Sequence, residues 1–192
     1  MNLLNKIGEL KRSNIEYYYA LCLLSVYGIW KIVKLVSAAI SSLDKFGTSF
    51  NEGLANIYVQ AIASLLKLFS IEYNTFLTTT SYGEFITIAI DGAPGIYVAY
   101  HCLGITASLV FALTIVLLPG SSLRKLFFIT SGLATMFVMN TARLAVLVVL
   151  DKYVSRFWVE MNHSVIFVIM FYSILLLFHY LFLKPYLQKM KA

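Results

Sequence analysis

Residues 126–149 read LFFITSGLATMFVMNTARLAVLVV, an apolar run of 24 residues that contains one charged side chain. About 20 apolar residues in a helix cross the hydrocarbon core of a bilayer, so this run predicts a transmembrane helix. Its one charge is Arg143, and Asn140 lies three residues earlier, on the same helical face. Polar groups are costly inside a membrane, so this face is expected to line a cavity or meet a partner helix.

The composition places the whole chain in the membrane class. Of the 192 residues, 60% are hydrophobic and 12% are charged, and the mean hydropathy is +0.81. This excludes disordered, collagen-like and disulfide-rich secreted chains. The net charge of +6 is attributed to the positive-inside rule, because the basic residues cluster beside apolar segments. We therefore expect the chain to interact with the lipid bilayer and not with a nucleic acid.

Apolar runs of sufficient length predict four transmembrane helices, and a fifth stretch is amphipathic. The predicted spans are 17–40, 99–118, 126–149 and 163–183. The stretch 53–69 carries its polar residues on one helical face, which predicts a helix lying in the membrane interface. The segment 41–98 is predicted to be extracytoplasmic. A small β-hairpin is predicted over 76–100, from alternating and β-branched residues around a turn at 91–95.

Charge placement favours this count of spans. Eight basic residues fall among the 32 residues of the predicted inner parts, and four fall among the 71 of the outer parts. Both termini, 1–16 and 184–192, are therefore predicted to be cytoplasmic. The predicted fold is an all-α integral membrane bundle of about four transmembrane helices, with an interfacial amphipathic helix and a small extracytoplasmic hairpin, in a single membrane domain, 1–192.

Three residues from different predicted helices are expected at the outer membrane face: Cys102, Arg143 and His163. Together they permit a thiolate nucleophile, an oxyanion stabiliser and a general base in one shallow cavity. A helix start at Cys102 is expected to lower the thiol pKa, and Gly104 is expected to let another chain approach closely. Each residue also has a structural interpretation: a buried thiol, an arginine reaching the headgroups and a solvated interfacial histidine.

His101 is a weaker candidate, since neighbouring side chains point apart. A metal site of His101, Cys102 and His163 is an alternative for which the sequence offers no obvious fourth ligand. We therefore predict no metal and no cofactor, and nothing in the sequence is typical of a phosphate-binding or dinucleotide-binding loop.

The order of these motifs resembles the exosortase/archaeosortase family. The matching residues are His101-Cys102-Leu103-Gly104-Ile105, then Asn140-x-x-Arg143, then His163. The resemblance covers about residues 75–180 and identifies the chain as a short member with about four spans instead of about eight. The chain departs from the usual family pattern around the cysteine, where Ala-Cys-Ser-Gly is usual and His101-Cys102-Leu103-Gly104 stands here. It also departs at Phe167, where a glycine often follows the histidine by about four residues.

The resemblance implies a membrane-embedded cysteine transpeptidase or protease. Cys102 would be the nucleophile and His163 the general base, and Arg143 would bind the oxyanion or hold the substrate carbonyl. Asn140, Gly104 and His101 would be in support. The substrates would be secreted proteins whose C-terminal sorting tail has three parts: a recognition motif, a membrane helix and a basic end. The site would face outward from the cytoplasmic (inner) membrane of a prokaryote, in a multi-pass chain. The alternative is a non-enzymatic membrane assembly or transport partner, and the sequence leaves the acceptor, the recognition motif and the oligomeric state open.

Overall fold

The computed structural model describes residues 15–39, 41–80 and 83–191. These residues are mostly helical, 77%, with six α-helices and a small sheet of three strands. The elements in chain order are α1 (Ile15–Ala39), α2 (Ser41–Leu68), β1 (Asn74–Thr80), β2 (Gly83–Ala89), β3 (Ile96–Tyr97), a 3₁₀ turn (Tyr100–Leu103), α3 (Ile105–Leu117), α4 (Ser122–Tyr153), α5 (Arg156–Met161), a π turn (Asn162–Ile166) and α6 (Phe167–Lys191).

Within these described ranges, two helical stretches are long and apolar enough to cross a membrane. They are Ser122–Tyr153 and Phe167–Gln188, and two shorter apolar helices cover Tyr17–Val33 and Ile105–Leu117. The helical, apolar character of the predicted bundle is thus confirmed, while the count of four spans stays a prediction. The expected helix start at residue 99 is wrong. Residues 100–103 form a 3₁₀ turn, and Gly104 at φ 69° separates that turn from α3.

The chain divides into two compact units. The first comprises Met1–Ile40, Thr106–Ala134 and Ser173–Ala192, and the second comprises Ser41–Ile105 and Thr135–Tyr172. The predictions of a single membrane domain and of its inner and outer segments remain predictions. The tails 1–14 and residue 192 lie outside the described residues.

In the second unit, an amphipathic helix packs on a small sheet. The predicted helix 53–69 lies within the longer α2, whose buried face is Ala55, Tyr58, Ile62 and Leu66, at spacings of three and four. This face joins one apolar core with β2 and with Leu144 and Leu147 of α4. Protein therefore covers this stripe, and the placement of α2 in the membrane interface stays a prediction.

The expected hairpin is part of a three-stranded antiparallel sheet. The strand order is β1-β2-β3. Asn74 pairs with Ala89 at one end of β1, and Ile88 pairs with Ile96 of the two-residue β3. The expected alternation along β2 is incomplete, because Phe85 and Thr87 are buried as well as Ile88. A central strand with both faces covered loses the alternation that an exposed strand shows.

In the first unit, aromatic rings fill the core between α3 and α6. Phe111 is fully buried and meets the rings of Phe178 and His179 edge-on, at centroid distances of 6.1 and 5.0 Å. Gly132 lies directly against Phe111, so that a Cβ at this position would overlap the ring. Tyr18 of α1 donates a hydrogen bond to the carbonyl of Leu117 at 3.3 Å.

Arg124 compensates for a proline inside α6. Pro185 has no N–H and cannot bond the carbonyl four residues earlier, which belongs to Leu181. Arg124 Nη2 donates to that carbonyl at 3.3 Å and to the carbonyl of Phe182 at 2.8 Å. Its guanidinium also lies over the rings of Phe128, Phe182 and Tyr186. An apolar helix thus contains a proline without leaving the Leu181 carbonyl unbonded.

Replacing Arg124 should destabilise the chain in a way that removing the proline reverses. We expect Arg124→Gln to lower the free energy of unfolding by about 1–3 kcal/mol, because a carbonyl in apolar surroundings loses its donor. Pro185→Ala restores an N–H for Leu181, so the loss should be smaller in the Pro185→Ala background. A double-mutant cycle on melting in detergent measures this coupling. Strictly additive effects would contradict the assignment.

Candidate active site

Cys102 lies in the 3₁₀ turn that connects the sheet to α3. Ala99 begins the turn in an extended conformation, and the Cys102 N–H donates to its carbonyl at 2.9 Å. Gly104 ends the turn with a backbone conformation in the left-handed region, which residues with a side chain rarely adopt. The Cys102 side chain is 6% exposed. The residue therefore precedes α3 and does not occupy the helix start that the sequence analysis expected.

Two side chains hold the backbone carbonyls of this turn. The Tyr58 hydroxyl donates to the carbonyl of Leu103 at 3.2 Å, and Asn140 Nδ2 donates to the carbonyl of Cys102 at 2.7 Å. Both side chains are buried, and that of Asn140 is 3% exposed. Hydrogen bonds in such apolar surroundings are costly to break, so Tyr58 and Asn140 fix the position from which the thiol projects.

Asn140 also contacts Arg143, as their spacing of three residues predicts. Arg143 Nη1 donates to Asn140 Oδ1 at 3.4 Å. The guanidinium lies 5.5 Å from the ring centre of Phe167, a cation–π distance. Asn140 thus connects the Cys102 backbone with Arg143 through the two ends of one amide. The ring of Phe167, one of the residues at which the chain departs from the usual family pattern, covers the arginine.

The pKa of the Cys102 thiol is raised above its ordinary value, chiefly because burial disfavours the thiolate. The positive charge of Arg143 and the backbone of Ala99 lower this pKa and oppose the effect of burial. The expected lowering of the pKa by a helix start is therefore wrong. Burial and the charge of Arg143 thus act on the Cys102 pKa in opposite directions, and burial has the larger effect.

His163 lies in the π turn that precedes α6. This turn runs from Asn162 to Ile166, directly before Phe167. The His163 backbone is thus about 6 Å along the helix axis from the residue whose ring covers Arg143. Isolated π turns occur frequently at functional sites. The side chains of His163 and His101 lie outside the described residues, so their expected roles stay predictions.

A cavity of about 220 Å³ opens beside Cys102. It is bordered by the turn and strand at 94–97, by the C-terminal part of α4 and by α5. The lining residues are Pro94, Gly95, Ile96, Tyr97, Cys102, Leu144, Leu147, Asp151, Val159 and Glu160. Asp151 Oδ2 accepts a hydrogen bond from the Gly95 N–H at 2.8 Å and anchors that turn to α4.

Sequence reasoning did not find Tyr58, Asp151 and Glu160. Tyr58 is placed by its apolar helix face, and the two acids belong to no motif with a recognisable spacing. Among the residues that the structure describes, no group of three or more His, Cys, Asp or Glu side chains is arranged to hold a metal ion. The alternative site of His101, Cys102 and His163 involves two side chains outside that set.

The described residues thus combine a buried cysteine, an arginine bonded to the same asparagine as the cysteine backbone, and two helices long and apolar enough to cross a membrane. The family model for "Transmembrane exosortase (Exosortase_EpsH)" matches residues 19–180. The chain belongs to the exosortase family, a transmembrane family of cysteine transpeptidases and proteases. No curated protein and no solved structure matches the chain significantly. Membership supports a membrane transpeptidase-like role in general terms.

Removing the charge of Arg143 should shift the titration of Cys102. We expect Arg143→Gln to raise the thiol pKa further, because a nearby cation stabilises the thiolate. The maleimide labelling rate of Arg143→Gln would then rise at a higher pH than that of the parent chain. Arg143→Lys keeps the positive charge, so the pH at which its labelling rate rises should shift less. The Cys22→Ser background leaves Cys102 as the one thiol. The exposed Lys152→Gln on the same helix is the control, and an equal shift there would contradict the role of Arg143.

The two neighbours Asn140 and Thr141 should differ sharply in their effect on Cys102. Asn140→Leu removes both hydrogen bonds of the amide, and we expect Cys102 labelling to change by about 5- to 100-fold. Thr141 is equally buried, at 4% exposure, and its hydroxyl has no hydrogen-bond partner among the described residues. Thr141→Val should leave the rate within about twofold. Similar changes in both variants would indicate general disturbance of α4.

Proposed function

We propose that this chain is a membrane-embedded cysteine transpeptidase or peptidase that cleaves the C-terminal sorting tail of secreted proteins. One observation carries the proposal: the Asn140 amide bonds both the Cys102 carbonyl and the Arg143 guanidinium, beside a cavity, in a member of the exosortase family. The catalytic residues in this proposal are Cys102, Arg143 and His163.

The first half-reaction forms a thioester. His163 takes the proton from Cys102 Sγ as the sulfur attacks the carbonyl carbon of the scissile amide. The carbonyl oxygen becomes an oxyanion, and the Arg143 guanidinium stabilises it. When the C–N bond breaks, the protonated His163 gives its proton to the leaving amine. The N-terminal part of the substrate is then bound to Cys102 as an acyl group, and the tail is released.

The second half-reaction frees the thiol. An amine or hydroxyl group of an envelope component attacks the thioester carbonyl and loses its proton to His163. The C–S bond breaks, the product is a new amide or ester, and the proton returns to the sulfur. Water in place of the acceptor would give a carboxylic acid. Exclusion of water from the acyl group would favour transfer over hydrolysis.

The raised pKa of Cys102 supports a general-base mechanism. A stable thiolate would need no base, whereas a buried thiol reacts when attack and deprotonation occur together. Arg143 has two tasks in this scheme, because the same charge favours the thiolate before attack and the oxyanion after it. The short distance along the helix from Phe167 to His163 supports placing the base near Arg143.

The sorting tail accounts for the membrane location of the enzyme. A tail with a recognition motif, a membrane helix and a basic cytoplasmic end would pack laterally against apolar helices. Its outer end would then meet Cys102 if the site faces outward, as the charge bias of the sequence predicts. The bilayer thus brings enzyme and substrate into the same plane, and no cofactor enters the scheme.

Loss of the thiol should abolish processing without loss of the fold. We expect Cys102→Ala to reduce cleavage of a co-produced secreted protein with such a tail by more than about 100-fold, because no acyl-enzyme forms. Melting in detergent should stay close to that of the parent chain. Intact-mass analysis should find a hydroxylamine-sensitive adduct on Cys102 in the parent.

A packing variant separates this function from a structural role. Gly132→Ala brings a Cβ into the Phe111 ring and should reduce stability by about 1–3 kcal/mol. If processing survives Cys102→Ala and fails in Gly132→Ala, the chain acts as a non-enzymatic membrane partner, and the proposed catalysis is excluded.

A further inference from the structure

The short strand β3 presents one edge away from the rest of the sheet. Ile96 pairs with Ile88 and Tyr97 with Thr87, and the Val98 N–H donates to the carbonyl of Ile86 at 2.9 Å. Backbone groups alternate in direction along an antiparallel strand. Since the N–H of Val98 faces β2, the N–H and the carbonyl of Tyr97 face the opposite edge.

Neighbouring hydrogen bonds support this orientation. Gly95 lies two residues before Tyr97, and its N–H donates to Asp151 outside the sheet. The Tyr97 carbonyl accepts the N–H of Ala99 at 3.1 Å. The Tyr97 N–H is thus the backbone donor that this edge offers to an incoming chain. Within the part of the chain that the structure describes, no further strand pairs with β3.

This edge borders the same cavity as the thiol. Gly95, Ile96 and Tyr97 line it together with Cys102. Its volume of about 220 Å³ is below the ~300–1,000 Å³ of pockets for drug-sized ligands, so it suits a short segment of chain. An extended peptide has unpaired carbonyls to offer an edge N–H, whereas a helix interior has none. The carboxylates of Asp151 and Glu160 favour a segment without acidic side chains.

We propose that the segment of substrate entering the cavity binds as an extended strand on the free edge of β3, where the Tyr97 N–H donates to one of its carbonyls and aligns it beside Cys102. This inference rests on the proposed function and adds to it a binding mode and a substrate class. The class is an extended, non-acidic peptide segment. A membrane helix of the tail does not fit the same edge.

Proline at position 97 tests the backbone hydrogen bond. Tyr97→Pro removes the N–H that faces the free edge and leaves the pairing of Ile96 and Val98 with β2 intact, which is where edge strands tolerate proline. Tyr97→Ala keeps the N–H and removes the ring. The probe is acetyl-Ala-Ala-Ala chloromethyl ketone, applied to membranes that contain the full chain with Cys22→Ser, and mass spectrometry measures alkylation of Cys102.

We expect Tyr97→Pro to slow alkylation by the tripeptide about 2- to 10-fold, the contribution of one hydrogen bond. Tyr97→Ala should stay within twofold of the parent, and chloroacetone, which has the same reactive group and no peptide, should react equally with all three chains. An acetyl-Ala-Glu-Ala probe should react more slowly than the tri-alanine probe. Equal losses in Tyr97→Pro and Tyr97→Ala, or equal rates for the acidic probe, would overturn the proposal.

A probe variant provides a second measurement if Tyr97→Pro does not fold. Ester bonds in place of the probe's amides weaken its carbonyls as acceptors, and we expect slower alkylation of the parent chain; an unchanged rate would exclude the edge hydrogen bond. Failure of the proposed function can be distinguished from failure of this binding mode. In that case Cys102 would react slowly with every probe, chloroacetone included, and His163→Ala would not change the rate.

Discussion

The candidate site depends on one buried amide. Asn140 lies in an apolar helix, where an unpaired amide would cost several kcal/mol. Both of its ends are bonded, to the Cys102 carbonyl and to the guanidinium of Arg143. Through these two bonds Asn140 connects the turn after the sheet to the charge of Arg143 on α4. The position of the thiol and the field that acts on it follow from the same side chain.

One face of α4 carries most of the site in the second unit. Asn140, Leu144, Leu147 and Asp151 follow each other at spacings of four, three and four residues, so they lie along one stripe. Arg143 belongs to the same face, because it lies three residues after Asn140 and four before Leu147. The stripe begins at the bonds to Cys102 and Arg143, continues along the apolar wall of the cavity and ends at the carboxylate that holds Gly95. A single rigid helix thus sets the distances between the thiol turn, the cavity and the edge of β3. Rigid elements hold reacting groups more precisely than loops do.

In the first unit, too, an arginine donates a hydrogen bond to a backbone group that would otherwise lack a partner. There Arg124 bonds the Leu181 carbonyl that Pro185 leaves without its helical donor, and aromatic rings surround its charge. Arg143 also lies over a ring, that of Phe167, but its charge acts on a thiol. Each arginine interacts with a polar group that lies in apolar surroundings: the Leu181 carbonyl in one case and the Cys102 thiol in the other. One stabilises a helix, and the other favours ionisation of the Cys102 thiol.

The sequence by itself determined the membrane class, the helical character, the shared face of Asn140 and Arg143, and the resemblance of its motifs to the exosortase family. These follow from composition, run length, periodicity and motif order, which are local properties of the chain. The tertiary structure decided the rest. The break at Gly104, the burial that raises the thiol pKa, the ring of Phe167 over Arg143 and the cavity acids Asp151 and Glu160 depend on contacts between distant segments. No periodicity encodes such contacts, because they arise only when the turn, α2 and α4 pack together and exclude water.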